Sequence, residues 1–254
     1  MSPVFFNLYI DDLSKSLTDS RVGCTINSRV INHLFYADDA VLLAPSPDAL
    51  KQLLKICENY ACETSILYNV KKSVCMYIKT KRWSDLPPQQ FVLCGKILEN
   101  VKEYKYLGVF ICDSTSDDRD IKRQLCAIYG RGNLLIRKFG KCSDSVKHNL
   151  FRAYLCNFYC CHLWRNYTDV AMKRVRVAFN NVFRSLMRIK GKCSISQLYV
   201  MSGIDSFPVL KRKSIVNFRT RVLASQNTYI SAVSQSLYFI QSSKLCKEWL
   251  KHCF

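Results

Sequence analysis

Two adjacent carboxylates, Asp38 and Asp39, are the residues of this sequence best suited to do chemistry. They lie between two short apolar, β-prone segments, residues 30–35 and 40–44. This pattern predicts a β-hairpin with both acids at its tip. Because magnesium prefers oxygen ligands and keeps positions for water and phosphate, a rigid carboxylate pair suits this ion. A solvated surface turn is the alternative interpretation.

A second pair of acids, Asp11 and Asp12, has the same Tyr-x-Asp-Asp spelling. Apolar residues recur three or four positions apart through residues 4–17, which predicts a helix opened by Ser2 as cap and Pro3 at the first position. Neighbouring side chains on a helix point about 100° apart. We therefore interpret this second pair as a solvated helix surface.

The remaining chemically suggestive residues favour structure over catalysis. The densest Cys/His group is Cys156, Cys160, Cys161 and His162, whose spacing gives no tetrahedral set of four zinc ligands, so it predicts core packing. The segment 130–132, Gly-Arg-Gly, lacks the preceding strand and the third glycine of a phosphate-binding loop. Helical spacing also assigns one aromatic group to the core: Phe151, Tyr154, Phe158, Tyr159 and Trp164.

The elements that must position the acids are mixed α and β in the first half of the chain and helical in the second. After the helix over 4–17 and the hairpin, a second helix starts at Ser46-Pro47-Asp48. Short strands are predicted at residues 74–80, 91–93 and 106–111. Further helices are predicted at about 119–139, 144–164, 169–190, 208–226 and 228–251. The fold class is therefore α+β, with a domain boundary between residues 117 and 118.

Charge is divided unequally along the chain, whose net charge is +19. Residues 1–118 hold 13 Lys/Arg against 14 Asp/Glu, whereas residues 119–254 hold 25 against 5. Such a basic half is typical of a protein that grips a polyanion, and solvated basic helices are the alternative. On the helix predicted at 169–190, Lys173, Arg174 and Arg176 lie mostly off the apolar face.

The distribution of cysteine and apolar residues favours an intracellular protein. The 14 cysteines follow no regular spacing, and no apolar N-terminal segment indicates secretion. The apolar runs are far shorter than the roughly 20 residues that a membrane-spanning helix needs. We therefore expect a nuclear or cytoplasmic location, reduced thiols, and no membrane partner.

Four segments resemble, in order and spacing, the reverse transcriptases of LINE-type (non-LTR) retrotransposons. Phe35-Tyr36-Ala37-Asp38-Asp39 followed by an apolar strand resembles their catalytic hairpin, and residues 2–9 (SPVFFNLY) resemble the helix that precedes it. Residues 69–73 (NVKKS) with Met76 resemble the next palm motif. Residues 104–108 (YKYLG) resemble the strand pair that steadies the primer end, and the helical remainder is similar to the thumb and connector.

The resemblance implies an incomplete polymerase palm over 1–117, with a small antiparallel sheet, followed by an all-helical thumb and connector over 118–254. It implies RNA-directed DNA synthesis with two magnesium ions, on an RNA template and a DNA primer. Asp38 would bind metal and Asp39 would support it, while Lys72 would neutralise or protonate the leaving pyrophosphate or, alternatively, is a solvated lysine. Primer and phosphate contacts are expected from Tyr104, Tyr106, Leu107, Gly108, Arg137, Lys138, Lys173, Arg174 and Arg176.

The sequence departs from the family pattern ahead of residue 2. In the family, an Arg-Gln-Gly turn precedes this helix, and another catalytic aspartate and the fingers lie further upstream. We therefore expect a C-terminal piece of a polymerase that is inactive alone. A non-enzymatic nucleic-acid-binding remnant that uses the basic half is the alternative, and an expressed fragment without a selected function is a third interpretation.

Overall fold

The computed structural model describes residues 3–78, 89–189 and 193–251. The chain divides into two compact units, and each is built from two separate stretches of sequence. The first unit comprises residues 1–102 and 225–240, and the second comprises 103–224 and 241–254. The predicted palm–thumb boundary at residue 117 stays a prediction, and the structural units divide the chain earlier, after Lys102.

The elements confirm an α+β fold with short strands first and helices after them. Those of residues 3–112 are α1 (Pro3–Asp19), β1 (Cys24–Ile26), β2 (Arg29–Ile31), β3 (His33–Tyr36), β4 (Asp39–Leu42), α2 (Pro47–Thr64), β5 (Val74–Cys75), β6 (Val92–Leu93), β7 (Lys96–Ile97), β8 (Glu99–Asn100), β9 (Glu103–Tyr106) and β10 (Val109–Cys112). Those that follow are α3 (Asp118–Phe139), α4 (Asp144–Leu155), a 3-10 turn (Cys161–Leu163), α5 (Asp169–Leu186), α6 (Ile195–Ser202), α7 (Phe207–Leu223), α8 (Thr228–Ser234), α9 (Leu237–Ser242) and α10 (Lys244–Lys251).

The strands of the described residues form five two-stranded pairs instead of one larger sheet. Four pairs are antiparallel hairpins of neighbouring strands, β1–β2, β3–β4, β6–β7 and β9–β10. The fifth pair, β5 with β8, is parallel. A two-stranded hairpin is marginally stable by itself, so each of these pairs depends on the helices and loops around it.

The core of the first unit lies between α1 and α2. Leu13 and Leu17 of α1 are buried with Leu53 of α2, because the apolar period of each helix directs one face inward. Helix α2 starts where the sequence predicts, since the side chain of Ser46 accepts a hydrogen bond from the backbone N–H of Ala49 at 3.2 Å. The residues that follow α7 return to this unit, where α8 contacts β2.

The core of the second unit is built mainly from α3, α4 and α5. The rings of Phe151, Phe179 and Phe183 pack together with centroids 5.0 Å apart for two of the pairs. Gly132 of α3 allows a close approach of α5, because a Cβ atom at this position would lie 2.5 Å from Val182. The close packing of α3 against α5 therefore requires glycine at position 132.

Several predicted elements differ from the structure. The helix predicted at 144–164 ends at Leu155, and Cys160 has a left-handed φ of 58°, so the chain turns before the 3-10 segment. The single helix predicted at 228–251 is three helices, because the hydroxyls of Ser236 and Ser243 accept backbone N–H bonds that start new helices. The strand predicted at 74–80 covers Val74–Cys75 among the described residues. Helix α6 and the β1–β2 hairpin were not predicted.

Three predicted features fall wholly or partly outside the described residues. They are the cap at Ser2, the last two residues of the strand predicted at 74–80, and the last residue of the helix predicted at 169–190.

Candidate functional site: the Asp38–Asp39 hairpin and the basic helical unit

The two aspartates lie at the end of a tight hairpin, as the sequence predicts. In the antiparallel pair β3–β4, Tyr36 is the partner of Asp39, so the turn consists of Ala37 and Asp38. Ala37 has a φ of 50°, in the left-handed region that such two-residue turns use. The two carboxylates are therefore one residue apart on a backbone with a fixed register.

The hairpin is attached to the helical core of the first unit. Phe35 of β3 and Leu42 of β4 pack against the α1–α2 core. Just before β3, the buried Asn32 donates side-chain hydrogen bonds to the carbonyls of Leu17 at 2.5 Å and Val22 at 2.7 Å. These contacts fix the base of the hairpin to α1 and to the loop that follows it.

His33 extends this attachment. The side-chain nitrogen of Asn32 donates to two carbonyls, so its side-chain oxygen is the atom that lies 2.7 Å from Nδ1 of His33. Because that oxygen can only accept, Nδ1 carries the proton and donates it. The hydroxyl of Ser14 then donates to Nε2 at 2.7 Å. Burial lowers the pKa of His33, so the neutral ring with this tautomer is the stable form.

The side chains of Asp38 and Asp39 are exposed, and neither forms an ion pair or hydrogen bond with another of the described residues. Their four carboxylate oxygens are thus free to bind a cation. The donor set fits magnesium, which takes one or two carboxylates and retains water and phosphate oxygens. Within residues 3–78, 89–189 and 193–251, no group of three His, Cys, Asp or Glu residues is placed to hold a metal ion.

The second acidic pair is on a helix surface, as predicted. Asp11 and Asp12 belong to α1, are exposed, and lie 2.7 Å and 3.2 Å from the ammonium group of Lys15. Hydrogen bonding to these two acids raises the pKa of Lys15 above its ordinary value. A lysine already contacts both acids and offsets part of their charge, so this pair is a poorer cation site than the hairpin.

Lys72 belongs to a turn that precedes β5, where its backbone N–H donates to the carbonyl of Asn69 at 2.9 Å. Its side chain is exposed and, among the described residues, makes no ion pair with Asp38 or Asp39. A role for Lys72 with pyrophosphate stays a prediction.

The residues predicted to position a primer lie in the β9–β10 hairpin of the second unit. Tyr106 is the partner of Val109, so the turn consists of Leu107 and Gly108, with φ values of 45° and 82°. Two positive φ angles define the turn type that matches the twist of the flanking strands. Tyr104 and Leu107 are exposed and Tyr106 is half-buried, so the hairpin offers apolar and aromatic groups at its surface.

Asp120, which the sequence did not single out, anchors this hairpin. Its carboxylate, 1% exposed, accepts hydrogen bonds from the backbone N–H of Phe110 at 3.1 Å and from the indole of Trp164 at 2.8 Å. Arg123 donates two more, at 2.7 and 3.1 Å. Burial raises the pKa of Asp120, but these hydrogen bonds outweigh it and hold the pKa below its ordinary value.

The predicted phosphate-binding residues are exposed on two packed helices of the second unit. Arg137 and Lys138 lie in the last turn of α3, and Lys173, Arg174 and Arg176 lie on α5. None of the five forms an ion pair with another described residue. Their charge is thus available to an external polyanion.

The Cys/His group takes part in packing, as predicted. Cys161 is buried in the core, and His162 stacks on Phe218 with ring centroids 4.3 Å apart and hydrogen bonds to Ser214 at 3.2 Å. The aromatic assignment was wrong in part. Tyr154 and Tyr159 are 51% and 50% exposed. Tyr154 lies on the exposed side of α4, and Tyr159 lies beyond Leu155, where that helix ends.

Comparison with known proteins identifies the class of the N-terminal segment. Residues 1–111, which contain the Asp38–Asp39 hairpin, match the family model described as reverse transcriptase (RNA-dependent DNA polymerase). Residues 1–111 thus match a reverse transcriptase domain, as the resemblance of their motifs implies.

The chain is also similar to a curated retrotransposon protein. The chain is 29% identical over 115 residues to the retrovirus-related Pol polyprotein from type-2 retrotransposable element R2DM of Drosophila melanogaster. The match covers 43% of this chain and 11% of that protein. The chain thus corresponds to a small part of its relative. In the described part of the chain, no helix is both long and apolar enough to cross a bilayer.

Proposed function

We propose that this chain is a part of an RNA-directed DNA polymerase of a non-LTR retrotransposon, which transfers nucleotides to a DNA primer in its intact parent. The observation that carries the proposal is the pair of exposed carboxylates at the end of a two-residue hairpin, where neither has an ion-pair or hydrogen-bond partner among the described residues. The segment that holds this hairpin matches a reverse transcriptase domain.

In this proposal, Asp38 and Asp39 hold magnesium, and Lys72 neutralises the leaving pyrophosphate. When bound, magnesium supplies the positive charge that nucleotidyl transfer needs. The chain itself contributes the rigid placement of the acids, because the network of Ser14, Asn32 and His33 fixes the base of the hairpin.

The second unit supplies the nucleic-acid contacts. We assign the Leu107–Gly108 turn to the 3′ end of the primer, and the exposed cations of α3 and α5 to phosphates of the RNA template and DNA primer. Contacts of Lys and Arg with phosphates position a duplex without reading its sequence. We therefore expect this chain to bind nucleic acids of different sequence with similar affinity.

A second candidate function, favoured by the charge distribution, is binding of nucleic acid without catalysis. Residues 119–254 hold 25 Lys/Arg against 5 Asp/Glu, and this surplus would bind a polyanion whether or not the hairpin holds metal. The two functions differ at Asp38 and Asp39, which only the polymerase requires.

The experiment compares affinity for an RNA template carrying a recessed DNA primer, with and without magnesium, at constant ionic strength. For the wild type, we expect magnesium to tighten binding, because an ion held by the hairpin acids also attracts phosphate oxygens. In the double variant Asp38→Asn/Asp39→Asn, this response should be lost, and magnesium-free affinity should be equal or higher because two negative charges are removed.

The chain provides a matched control in its other Tyr-x-Asp-Asp sequence. The double variant Asp11→Asn/Asp12→Asn removes the same charge from a helix surface and should keep the full magnesium response. An equal response in both double variants would contradict the assignment of the hairpin. We expect no primer extension by the chain alone, since two carboxylates from one turn rarely hold two magnesium ions; measurable extension would overturn that expectation.

A further inference from the structure

The turn proposed to face the primer end contains a strained residue. Leu107 has a φ of 45°, a backbone conformation that costs free energy for any residue with a Cβ atom, whereas its neighbour Gly108 tolerates its φ of 82°. Non-glycine residues persist in this region when their surroundings hold them there, and such residues concentrate at functional sites. The contacts of Leu107 and Gly108 are therefore informative.

Tyr159 contacts both central residues of this turn. Its hydroxyl donates a hydrogen bond to the carbonyl oxygen of Leu107 at 2.8 Å. Its ring lies against Gly108, since a Cβ atom at position 108 would be 3.2 Å from a ring carbon of Tyr159. One tyrosine thus fixes both central residues of the turn, although 52 residues separate it from Leu107 in the sequence.

A second contact holds the β9–β10 hairpin at Phe110, the residue after Val109. The buried carboxylate of Asp120 accepts from the backbone N–H of Phe110 and from Arg123, whose guanidinium carbon is 6.0 Å from the centroid of the Tyr159 ring. The side chain of Tyr159 is 50% exposed, so burial of its ring alone does not explain why a tyrosine occupies this position. Its hydroxyl has a specific partner at a strained position of the turn.

We propose that Tyr159 is a positioning residue that sets the Leu107–Gly108 turn for contact with the 3′-terminal nucleotide of the primer. This inference rests on the proposed function of the turn. Tyr159 itself acts through the carbonyl of Leu107: without its hydroxyl, the turn moves among several conformations and holds the primer end less tightly.

The test measures the affinity of the full chain for two ligands of equal length, an RNA template with a recessed DNA primer and the corresponding blunt RNA–DNA duplex. The wild type should prefer the recessed end. Tyr159→Phe keeps the ring against Gly108 and removes only the hydroxyl. We expect it to reduce the preference by about two- to tenfold, the effect of one hydrogen bond, and to leave the affinity for the blunt duplex unchanged.

Tyr154→Phe is the matched control, because Tyr154 is equally exposed and its hydroxyl has no hydrogen-bond partner among the described residues. This variant should keep the wild-type preference. The thermal unfolding temperature of both variants is measured alongside, since loss of global stability would weaken binding of the two ligands equally.

The outcomes separate the inference from the proposed function. A wild-type preference that survives in Tyr159→Phe overturns the role of Tyr159 and leaves the turn as the primer contact. Equal weakening of both ligands, together with a lower unfolding temperature, also overturns it, because Tyr159 is then a purely structural residue. A wild type that binds both ligands equally overturns the primer contact as well as the inference.

Discussion

The carboxylate of Asp120 accepts four hydrogen bonds from three different parts of the second unit. One oxygen binds the N–H of Phe110 and Nε of Arg123, and the other binds Nη2 of Arg123 and the indole N–H of Trp164. The β9–β10 hairpin, helix α3 and the segment after α4 thus meet at one buried charge. All four donors need an acceptor, and only a carboxylate offers two oxygens in this geometry.

Asp120→Asn should lower the free energy of unfolding by about 2–4 kcal/mol. The asparagine keeps one acceptor oxygen, and its NH2 group faces donors that it cannot satisfy. Because the folded-state pKa of Asp120 is lowered, the contribution of the carboxylate is present above its unfolded pKa and is lost as the pH falls through the folded one. Urea unfolding at neutral and at acidic pH measures both effects.

Asp12→Asn is the control, since Asp12 is exposed and Lys15 keeps its other partner, Asp11. A surface pair of this kind contributes little to stability, so the change should be small. If Asp120→Asn unfolds at the same urea concentration as this control, Asp120 does not hold the hairpin in place.

At this scale, the sequence predicted the hairpin position of Asp38 and Asp39, and their role as a site stays a prediction. Asp38 and Asp39 are recognisable because apolar segments flank them within a few positions. Asp120 and Tyr159 have partners 44 and 52 residues away, at Trp164 and Leu107, so nothing near them in the sequence indicates their contacts. Helical spacing predicted Tyr159 in the core. That prediction required a helix through residue 159, whereas α4 ends at Leu155.

The packing of α3 against α5 depends on Gly132, and this gives a prediction at the scale of elements. Gly132→Ala introduces a Cβ atom that would lie 2.5 Å from a methyl carbon of Val182. We expect the free energy of unfolding to fall by about 1–3 kcal/mol, the usual cost of overpacking, because a branched side chain on a helix has little freedom to move. Thermal or urea unfolding measures the loss.

Gly130, two residues earlier on the same helix, is the matched control. A Cβ atom at this position meets no other atom within 4 Å. Gly130→Ala should therefore raise stability by about 0.5–1 kcal/mol, the difference in helix propensity between the two residues. If both alanine variants change stability in the same direction, the close contact of Gly132 with Val182 is not the controlling factor.

Among the elements, those with a local start signal were predicted best. Helices α2 and α5 begin at Pro47 and Asp169, and in each the preceding Ser or Thr side chain accepts a backbone N–H bond. At Ser236 and Ser243 a serine side chain also accepts a backbone N–H bond and starts a new helix. The apolar residues continue at helical spacing across both positions, so the sequence pattern did not reveal these breaks. The two- and three-residue strands carry too few side chains to show an alternating pattern.

For the whole molecule, the concentration of positive charge in the second half predicts binding that depends strongly on salt. Each lost phosphate contact reduces the slope of log affinity against log salt by about 0.7–0.9. Replacing Lys173, Arg174 and Arg176 together by Gln should reduce the slope by about 2–3. A filter-binding titration with salt, on duplexes of two unrelated sequences, measures this change.

The control replaces three exposed lysines of the first unit, Lys51, Lys55 and Lys96, by Gln. This variant loses the same charge and should keep nearly the wild-type slope. Equal slopes for the two triple variants would show that net charge, and not the surface of α5, determines affinity. A flat titration for the wild type would contradict the polyanion-binding role of the basic half.

The return of residues 225–240 to the first unit has a genetic consequence. The side-chain amide of Asn27 donates to the carbonyl of Ala232 at 3.0 Å, and α8 lies against β2. Each unit thus contains residues that lie beyond position 224. A stop codon between positions 112 and 225 would therefore remove residues from both units, and a gene fragment ending at 111, where the family match ends, would lack part of each.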